Sequence, residues 1–346
     1  MSKNLMALAP CKILIRSTNW IGDAIMTTPA IRTLRQNFPA AHIAILVKPW
    51  VADIFSASPH IDEIILYEAK GEHRGVVGLW RLGRQLRARR FDMAILLQNA
   101  FEAALLALLA AIPLRAGYKR DGRQLLLSHP VAIAPEVKKL HQVHYYQGLM
   151  EGLGLLPGSD ELFLTIPPAA LAVGRQRLAG LPPGPVVGLN PGAAYGPAKR
   201  WPAEKYGALA ARLQRELGAK ILVFGTDADR QAAAAIVRAG VGLTLDLTGQ
   251  TTLAEAMALI SLCNFLVSND SGLMHVGAAL GTPMAALFGS TDPVATGPFS
   301  DQAQVIRKTL ACTPCLRPTC RDKNFRCMRD ISVEEVFQAA HNRLMV

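Results

Sequence analysis

The sequence has no uninterrupted apolar run near the ~18–20 residues that a membrane-spanning helix requires. Its longest candidate, AALLALLAAIPL at 103–114, is interrupted by Pro113. The chain is therefore expected to be soluble, or attached only at a membrane surface. It also lacks G-x-G-x-x-G after its first apolar strand and has STNWIGD there instead, which disfavours a nicotinamide-dinucleotide enzyme. No repeat of solenoid length and no low-complexity tract is present, which argues against a repeat array or a disordered linker protein. The opening MSKNLMALAPCKILI is broken by Pro10 and has no small-residue cleavage pattern, so it reads as a tail running into a strand rather than a signal.

Acidic residues are also scarce: 26 Asp and Glu stand against 37 Lys and Arg, giving a formal net charge of +11. The excess lies in residues 1–172, with 19 bases against 13 acids, and in residues 307–346, with 8 against 4. Such a surface suits an anionic partner such as nucleic acid, acidic lipid or a phosphorylated substrate, and it also serves plain solubility.

At 346 residues the chain exceeds the size at which one hydrophobic core usually stops growing, so two domains are expected. Short Val/Ile/Leu runs read as buried parallel strands: KILIRS, HIAILV, EIILY and DMAILLQ in the first half, then VVGLNPG, KILVFGT and FLVSND in the second. Each is followed by a helical pattern or a Gly/Pro/Asn/Asp turn, which is βαβ alternation. Pro and Gly cluster between the halves around one short helix candidate, ALAVGRQRLAG. The expected division is a Rossmann-like domain at 1–172, a second at 173–330 that includes a Cys-rich segment at 312–327, and a C-terminal helix at 331–346. Ser332 as N-cap and Glu335 three residues later mark that helix, for which packing back on the first domain is one option. Two doubly wound units imply ligands at the carboxyl ends of the strands, in a cleft between the domains.

Several segments carry candidate chemistry, each beside an ordinary structural alternative. In NWIGDAIMTTPA, Asp23 follows Gly22 at a strand-to-helix turn, where the local pattern alone favours a helix cap. In SNDSGLMHVGAALGTP, Asn269, Asp270, Ser271 and Gly272 open a helix whose first amides suit a diphosphate, although Asn269 or Asp270 could simply cap it. His275, one turn on, could touch a phosphate or sugar hydroxyl or merely pack. LNPGAAYGPAKRWP places Lys199 and Arg200 after a Gly-rich turn containing Gly192, a pattern for an anionic leaving group or a solvated loop anchored by Trp201. Asp227 and Asp229 in FGTDADR suit either ribose hydroxyls or helix capping.

The cysteines Cys312, Cys315, Cys320 and Cys327 could hold a structural zinc or remain free or redox-labile thiols. Lys119, Arg120, Arg123 and His144 could face an anionic acceptor. The row Arg81, Arg84, Arg87, Arg89 and Arg90 reads as a solvated helix face, with contact to acidic lipid head groups as its second reading.

The segments ILIRSTNWIGDAIMTTPAIRTLRQNFP, AKRWP and SNDSGLMHVGAALGTPMAALFGSTDP resemble the signature segments of bacterial ADP-heptose:lipopolysaccharide heptosyltransferases. The Cys-rich tail resembles that of the type II enzymes. The resemblance runs from about Cys11 to the last helix. It implies a GT-B fold, an α/β architecture of two Rossmann-like domains, with the acceptor on the N-terminal domain and the nucleotide sugar on the C-terminal one. It further implies inverting transfer of L-glycero-D-manno-heptose from ADP-heptose to the first heptose of the inner core, heptosyl-Kdo2-lipid A, at the cytoplasmic face of the inner membrane, with no cofactor required and no nucleic acid partner.

Carried over by motif, Asp23 resembles the general base and Lys199 the residue that neutralises the ADP phosphates. Gly192, Arg200, Asp227, Asp270, Ser271, Gly272, Leu273 and His275 complete the expected donor site, and Asn19, Trp20, Gly22, Lys119, Arg120, Arg123 and His144 the expected acceptor site. The chain departs from the family pattern at Ala194 and Tyr195, where other members carry hydroxyl residues. Two further readings remain at this point: a GT-B transferase using another nucleotide sugar, and a non-catalytic binder of anionic glycolipid.

Overall fold

Apolar runs too short for helices and rich in β-branched residues are most stable when both faces are covered, and that is how they are used here. The computed structural model describes Leu5 and residues 9–345; most of the expected N-terminal tail lies outside the described residues. The chain divides into two units, Met1–Thr165 and Ile166–Val346, so the boundary falls earlier than the expected 172/173.

The first unit runs β1 (Lys12–Arg16), α1 (Ile21–Met26), α2 (Thr28–Asn37), β2 (His42–Val47), β3 (Glu63–Leu66), α3 (Gly75–Arg89), β4 (Met93–Leu96), α4 (Phe101–Leu109), β5 (Leu114–Tyr118), β6 (His129–Val131) and α5 (Gln142–Gly152). Its six parallel strands lie in the order β3-β2-β1-β4-β5-β6. The four runs expected as strands form β1 to β4. The order reverses between β1 and β4, and ligands of open α/β sheets bind outside the carboxyl ends at such a reversal.

The second unit runs α6 (Pro168–Leu178), β7 (Val186–Asn190), α7 (Ala203–Leu217), β8 (Lys220–Val223), α8 (Arg230–Ala239), β9 (Thr244–Asp246), α9 (Leu253–Ser261), β10 (Phe265–Asn269), α10 (Gly272–Ala279), β11 (Met284–Phe288), α11 (Pro293–Thr296), β12 (Ala303–Arg307), α12 (Arg326–Arg329) and α13 (Val333–Leu344). The strand order is β12-β11-β10-β7-β8-β9, all parallel, with the reversal between β7 and β10. Helix α6, which the expected boundary would have split between domains, packs on α9 and belongs wholly to this unit.

Helix α13 starts with the capping box expected from Ser332 and Glu335: the hydroxyl accepts from the Glu335 amide at 3.2 Å, and the Glu335 carboxylate accepts from the Ser332 amide at 2.8 Å. Its buried face, Val336, Phe337, Ala339 and Ala340, joins the core of the second unit beside Trp201, Tyr206 and Ile331. Its apolar stripe packs against α7, β10, β11 and β12.

Candidate active site

In the second unit, parallel register sets Asn190 of β7 beside Ser268 of β10 at the point where the strand order reverses. Asn190 Nδ2 donates to Ser268 Oγ at 2.9 Å and to Ser271 Oγ at 2.7 Å. Asn269, fully buried, ties three segments together. Its Oδ1 accepts from the Trp201 amide and the Tyr206 hydroxyl, each at 3.1 Å, and its Nδ2 donates to the Pro191 carbonyl at 2.7 Å. The strand end, the loop after β7 and the start of α7 are thus one hydrogen-bonded body.

On that body Lys199 Nζ sits 2.6 Å from Asp270 Oδ2, with the lysine side chain 14% and the aspartate 5% exposed. Thr291 Oγ1 donates to the same carboxylate oxygen at 2.6 Å, and the Lys199 ammonium lies 4.9 Å from the centre of the Tyr195 ring. Sequence reasoning expected Asn269 or Asp270 as possible caps of α10; neither serves. The N-cap is Ser271 in extended conformation, and its side chain makes no capping bond. The side chains of Asn269, Asp270 and Ser271 are all spent elsewhere, so the positive end of α10 is not satisfied by its own cap residue. Ser271, Gly272 and Leu273 remain partly exposed there, whereas His275 is buried at 4% exposure.

The acids of FGTDADR separate. Asp227 is exposed and paired with Arg230 at 2.7 Å. Asp229 is buried, accepts from the Thr226 amide at 3.0 Å, and lies 3.7 Å from Arg200 Nη2. A Cβ on Gly192 would meet Asp229 Oδ2 at 2.7 Å, so glycine is needed where the loop passes this carboxylate. The geometry therefore joins Gly192, Arg200 and Asp229, and not Asp227.

The Cys-rich segment braces the lysine loop. The Pro318 carbonyl accepts from the Ala198 amide at 3.0 Å, the Leu316 carbonyl from the Tyr195 hydroxyl at 2.8 Å, and the Leu316 amide donates to Ser290 O at 2.7 Å. Gly196, at φ 149°, passes so close that a Cβ would sit 2.3 Å from Pro318 O. All four cysteines are free. Burial first, then the neighbouring Cys312, Cys315 and Cys320, push the Cys327 thiol up. Among the described residues no three His, Cys, Asp or Glu side chains are grouped to hold a metal ion.

In the first unit the loop after β1 opens α1, whose N-cap is Trp20 and whose third residue is Asp23. Asp23 is half-buried and lies near Tyr146 of α5; burial, then this carboxylate, hold the Tyr146 hydroxyl well above its ordinary pKa. Asn19 is fixed at both ends: Oδ1 accepts from Arg16 Nη2 at 3.2 Å, and its carbonyl accepts from Trp50 Nε1 at 2.9 Å. Trp20 and Trp50 are 62% and 51% exposed on this edge. Lys119 and Arg120 are exposed after β5, and His144 faces Asp160 at 3.2 Å.

Arg123 departs from its expected role at the acceptor. It is fully buried, and its guanidinium donates to the carbonyls of Tyr118 and Gln98 and to Asn99 Oδ1, joining the ends of β4 and β5. A guanidinium so enclosed is a strut, and burial lowers its pKa to about 10.

Sequence reasoning missed a neighbouring cluster. Arg16 at the end of β1 and Lys48 after β2 are 1% and 7% exposed, and both cations lie over the Tyr67 ring, at 5.3 Å and 3.4 Å. Tyr67 donates to Glu102 at 2.8 Å. Burial, reinforced by Arg16, pushes Lys48 down to about 8. Two buried cations share one nearby carboxylate, so the edge that carries Asp23 has positive charge in reserve. Arg16 Nε, Ser17 Oγ and Thr18 Oγ1 are also buried without a partner among the described residues. No motif marks this cluster, because its members come from four separate segments.

Two Rossmann-like sheets, with polar side chains gathered where each strand order reverses and an anion-suited helix start in the second, define the GT-B class of glycosyltransferase. The profile of glycosyltransferase family 9 (heptosyltransferase) matches residues 79–326. The chain is 32% identical to lipopolysaccharide heptosyltransferase 2 of Salmonella typhimurium over 96% of this chain and 98% of that protein. It is 34% identical to lipopolysaccharide heptosyltransferase 2 of Escherichia coli K12, over 86% and 88%. Among solved structures, E. coli ADP-heptose lipopolysaccharide heptosyltransferase II superposes with a TM-score of 0.82 at 30% identity, covering 96% of this chain and 98% of that one. A family 9 glycosyl transferase from Veillonella parvula gives 0.86 at 27% identity, covering 96% and 97%. The chain belongs to glycosyltransferase family 9, the heptosyltransferases, and is an enzyme. Family membership sets aside the non-catalytic binder.

Proposed function

We propose that this enzyme transfers L-glycero-D-manno-heptose from ADP-heptose to the first heptose of the lipopolysaccharide inner core, with inversion and with Asp23 as general base. The observation that carries the donor half is the Lys199–Asp270 pair beside the uncapped start of α10. The acceptor half rests on the half-buried Asp23 beside Tyr146, on a cationic cluster at the carboxyl ends of the strands of the same sheet, and on the relatives named as heptosyltransferase 2.

In this reading Asp23 takes the proton from the acceptor hydroxyl as its oxygen attacks the anomeric carbon and the bond to ADP breaks. Negative charge then grows on the departing diphosphate. The Lys199 ammonium and the amides opening α10 stabilise it, and Asp270 with Thr291 hold Lys199 in place. These groups do what a divalent cation does in other transferases. The donor ribose falls to Asp229 or Asp227, of which Asp229 has the closer company of Gly192 and Arg200. Lys119 and Arg120, with Lys48 behind them, would meet the Kdo carboxylates and lipid A phosphates of the acceptor. Because that acceptor is lipid-anchored, the enzyme would work against the cytoplasmic face of the inner membrane.

The test is transfer from ADP-heptose to cores carrying either no heptose or one, with product mass read out. Addition of one heptose to the monoheptosyl core alone is expected. Preferred use of the heptose-free core would overturn the acceptor assignment, and faster turnover with another ADP- or UDP-sugar would overturn the donor.

A further inference from the structure

Helix α3 contains no acidic residue. Its inner face, Gly78, Leu82, Gly83 and Leu86, is buried, and a Cβ on Gly83 would meet Leu109 Cβ of α4 at 2.9 Å, so the two helices are pressed together. At about 100° per residue, Val76, Val77, Trp80, Arg84 and Arg87 fall on one outward stripe. A solvated helix keeps that stripe polar, yet here Val76 is 86%, Val77 69% and Trp80 52% exposed. Leu108 of α4 adds a further exposed apolar side chain.

Charge is arranged along the same stripe. The Arg84 guanidinium lies 4.9 Å from the centre of the Trp80 ring, and Trp80, Arg84 and Arg87 line a groove closed by Leu109. Arg89, on the flank, is occupied by Glu63, and Arg81 donates to the Glu72 carbonyl. Arg84 and Arg87 have no acidic partner within ion-pair distance among the described residues. The apolar first turns follow the carboxyl end of β3, on the edge of the sheet that also carries Asp23; the arginines continue toward the opposite edge.

We propose that this face of α3, with Leu108, is the surface by which the first unit rests on an anionic lipid bilayer. Val76, Val77 and Trp80 enter the boundary between head groups and acyl chains, and Arg84 and Arg87 meet lipid phosphates. A second copy of this chain is a poor occupant, since it would set like charges face to face. The proposal rests on the reading that the acceptor is lipid-anchored: the same sheet edge then meets the membrane and presents the base.

The test uses the full chain and phosphatidylcholine vesicles with and without phosphatidylglycerol. The chain should bind the anionic vesicles and be released by salt. A variant carrying Trp80→Ala, Arg84→Glu and Arg87→Glu should bind at least about tenfold more weakly while keeping its circular dichroism and its transfer to an acceptor stripped of acyl chains. Trp80→Phe alone should retain binding but lose part of the fluorescence quenching by brominated lipid. Equal binding by parent and triple variant, unchanged quenching in Trp80→Phe, or a solution dimer abolished by the triple variant would each overturn the proposal. Vesicle binding lost in the triple variant, together with no heptose transfer by the parent, would leave the surface standing and remove the proposed activity.

Discussion

The carboxyl edges of the two sheets are built on opposite plans. In the second unit nearly every polar side chain at the strand reversal already has a protein partner: Asn190 holds Ser268 and Ser271, Asn269 holds three segments, and Asp270 holds Lys199. In the first unit the same edge shows exposed Trp20 and Trp50, a pair of buried cations with one nearby carboxylate, and buried hydroxyls without partners. A diphosphate is small and always presents the same charge, so fixed dipoles and a fixed lysine suit it. A branched, acidic, lipid-anchored acceptor varies in reach and asks for aromatic surface and unspent charge.

The largest expected effect breaks the comparison at its chemical point. Asp23→Asn keeps size and should lower kcat by roughly 10²–10⁴-fold, as loss of a general base does, with donor affinity unchanged. ADP release with and without acceptor checks it, and near-normal turnover would remove Asp23 from the base role. Lys199→Ala comes next, with an expected loss of roughly 10²–10³-fold in kcat. It also leaves Asp270 without its cation, so Lys199→Met with Asp270→Asn should recover thermal stability but not rate. Recovery of both would make Lys199 only structural.

A third substitution separates scaffold from chemistry. Asn269 contacts no expected substrate atom but satisfies the Trp201 amide, the Tyr206 hydroxyl and the Pro191 carbonyl. Asn269→Leu leaves the Trp201 amide and the Pro191 carbonyl unpaired, at roughly 1–3 kcal/mol for each, while the Tyr206 hydroxyl keeps the Asn190 carbonyl as its acceptor. Its urea midpoint should fall well below that of the parent, and donor KM should rise through the displaced lysine loop. The comparable residue at the edge of the first unit is Arg123, which joins the ends of β4 and β5.

How much was legible follows the same division. Runs such as HIAILV and FLVSND announce buried parallel strands because every residue is apolar or at a strand end. In contrast, β9 is only Thr-Leu-Asp, and β12 (AQVIR) is half-exposed, so neither has a period to read. Lys199, Asp270 and Ser271 stand in contiguous motifs that can be read along the chain. Asn269 was noticed only as a possible cap, since nothing local reveals that its amide crosses to Trp201 and Pro191. The Arg16–Lys48–Tyr67–Glu102 cluster exists only through sheet order, which sets the ends of β1, β2 and β3 side by side. Arg123 misled for the complementary reason: basic residues in a loop look solvent-facing until backbone carbonyls are seen to enclose one.

The smallest effect expected tests whether the charge of the first unit is truly unspent. Lys48 is pushed down to about 8 from an ordinary 10.5, chiefly by burial and further by Arg16, with Glu102 opposing. Between those values the unfolded chain holds a proton that the folded chain has lost, so this group makes stability rise with pH across the window. Below about 8 the folded protein carries the full cost of a charged Lys48. Lys48→Met should flatten the rise in urea midpoint across that range and raise the midpoint at neutral pH. An anionic acceptor seated beside Lys48 would favour its charged form, so acceptor binding slightly above pH 8 should take up protons from the buffer, and in Lys48→Met it should take up fewer. Equal proton uptake by parent and variant would mean that the acceptor does not reach this cluster, and that the reserve of charge serves only the fold of the first unit.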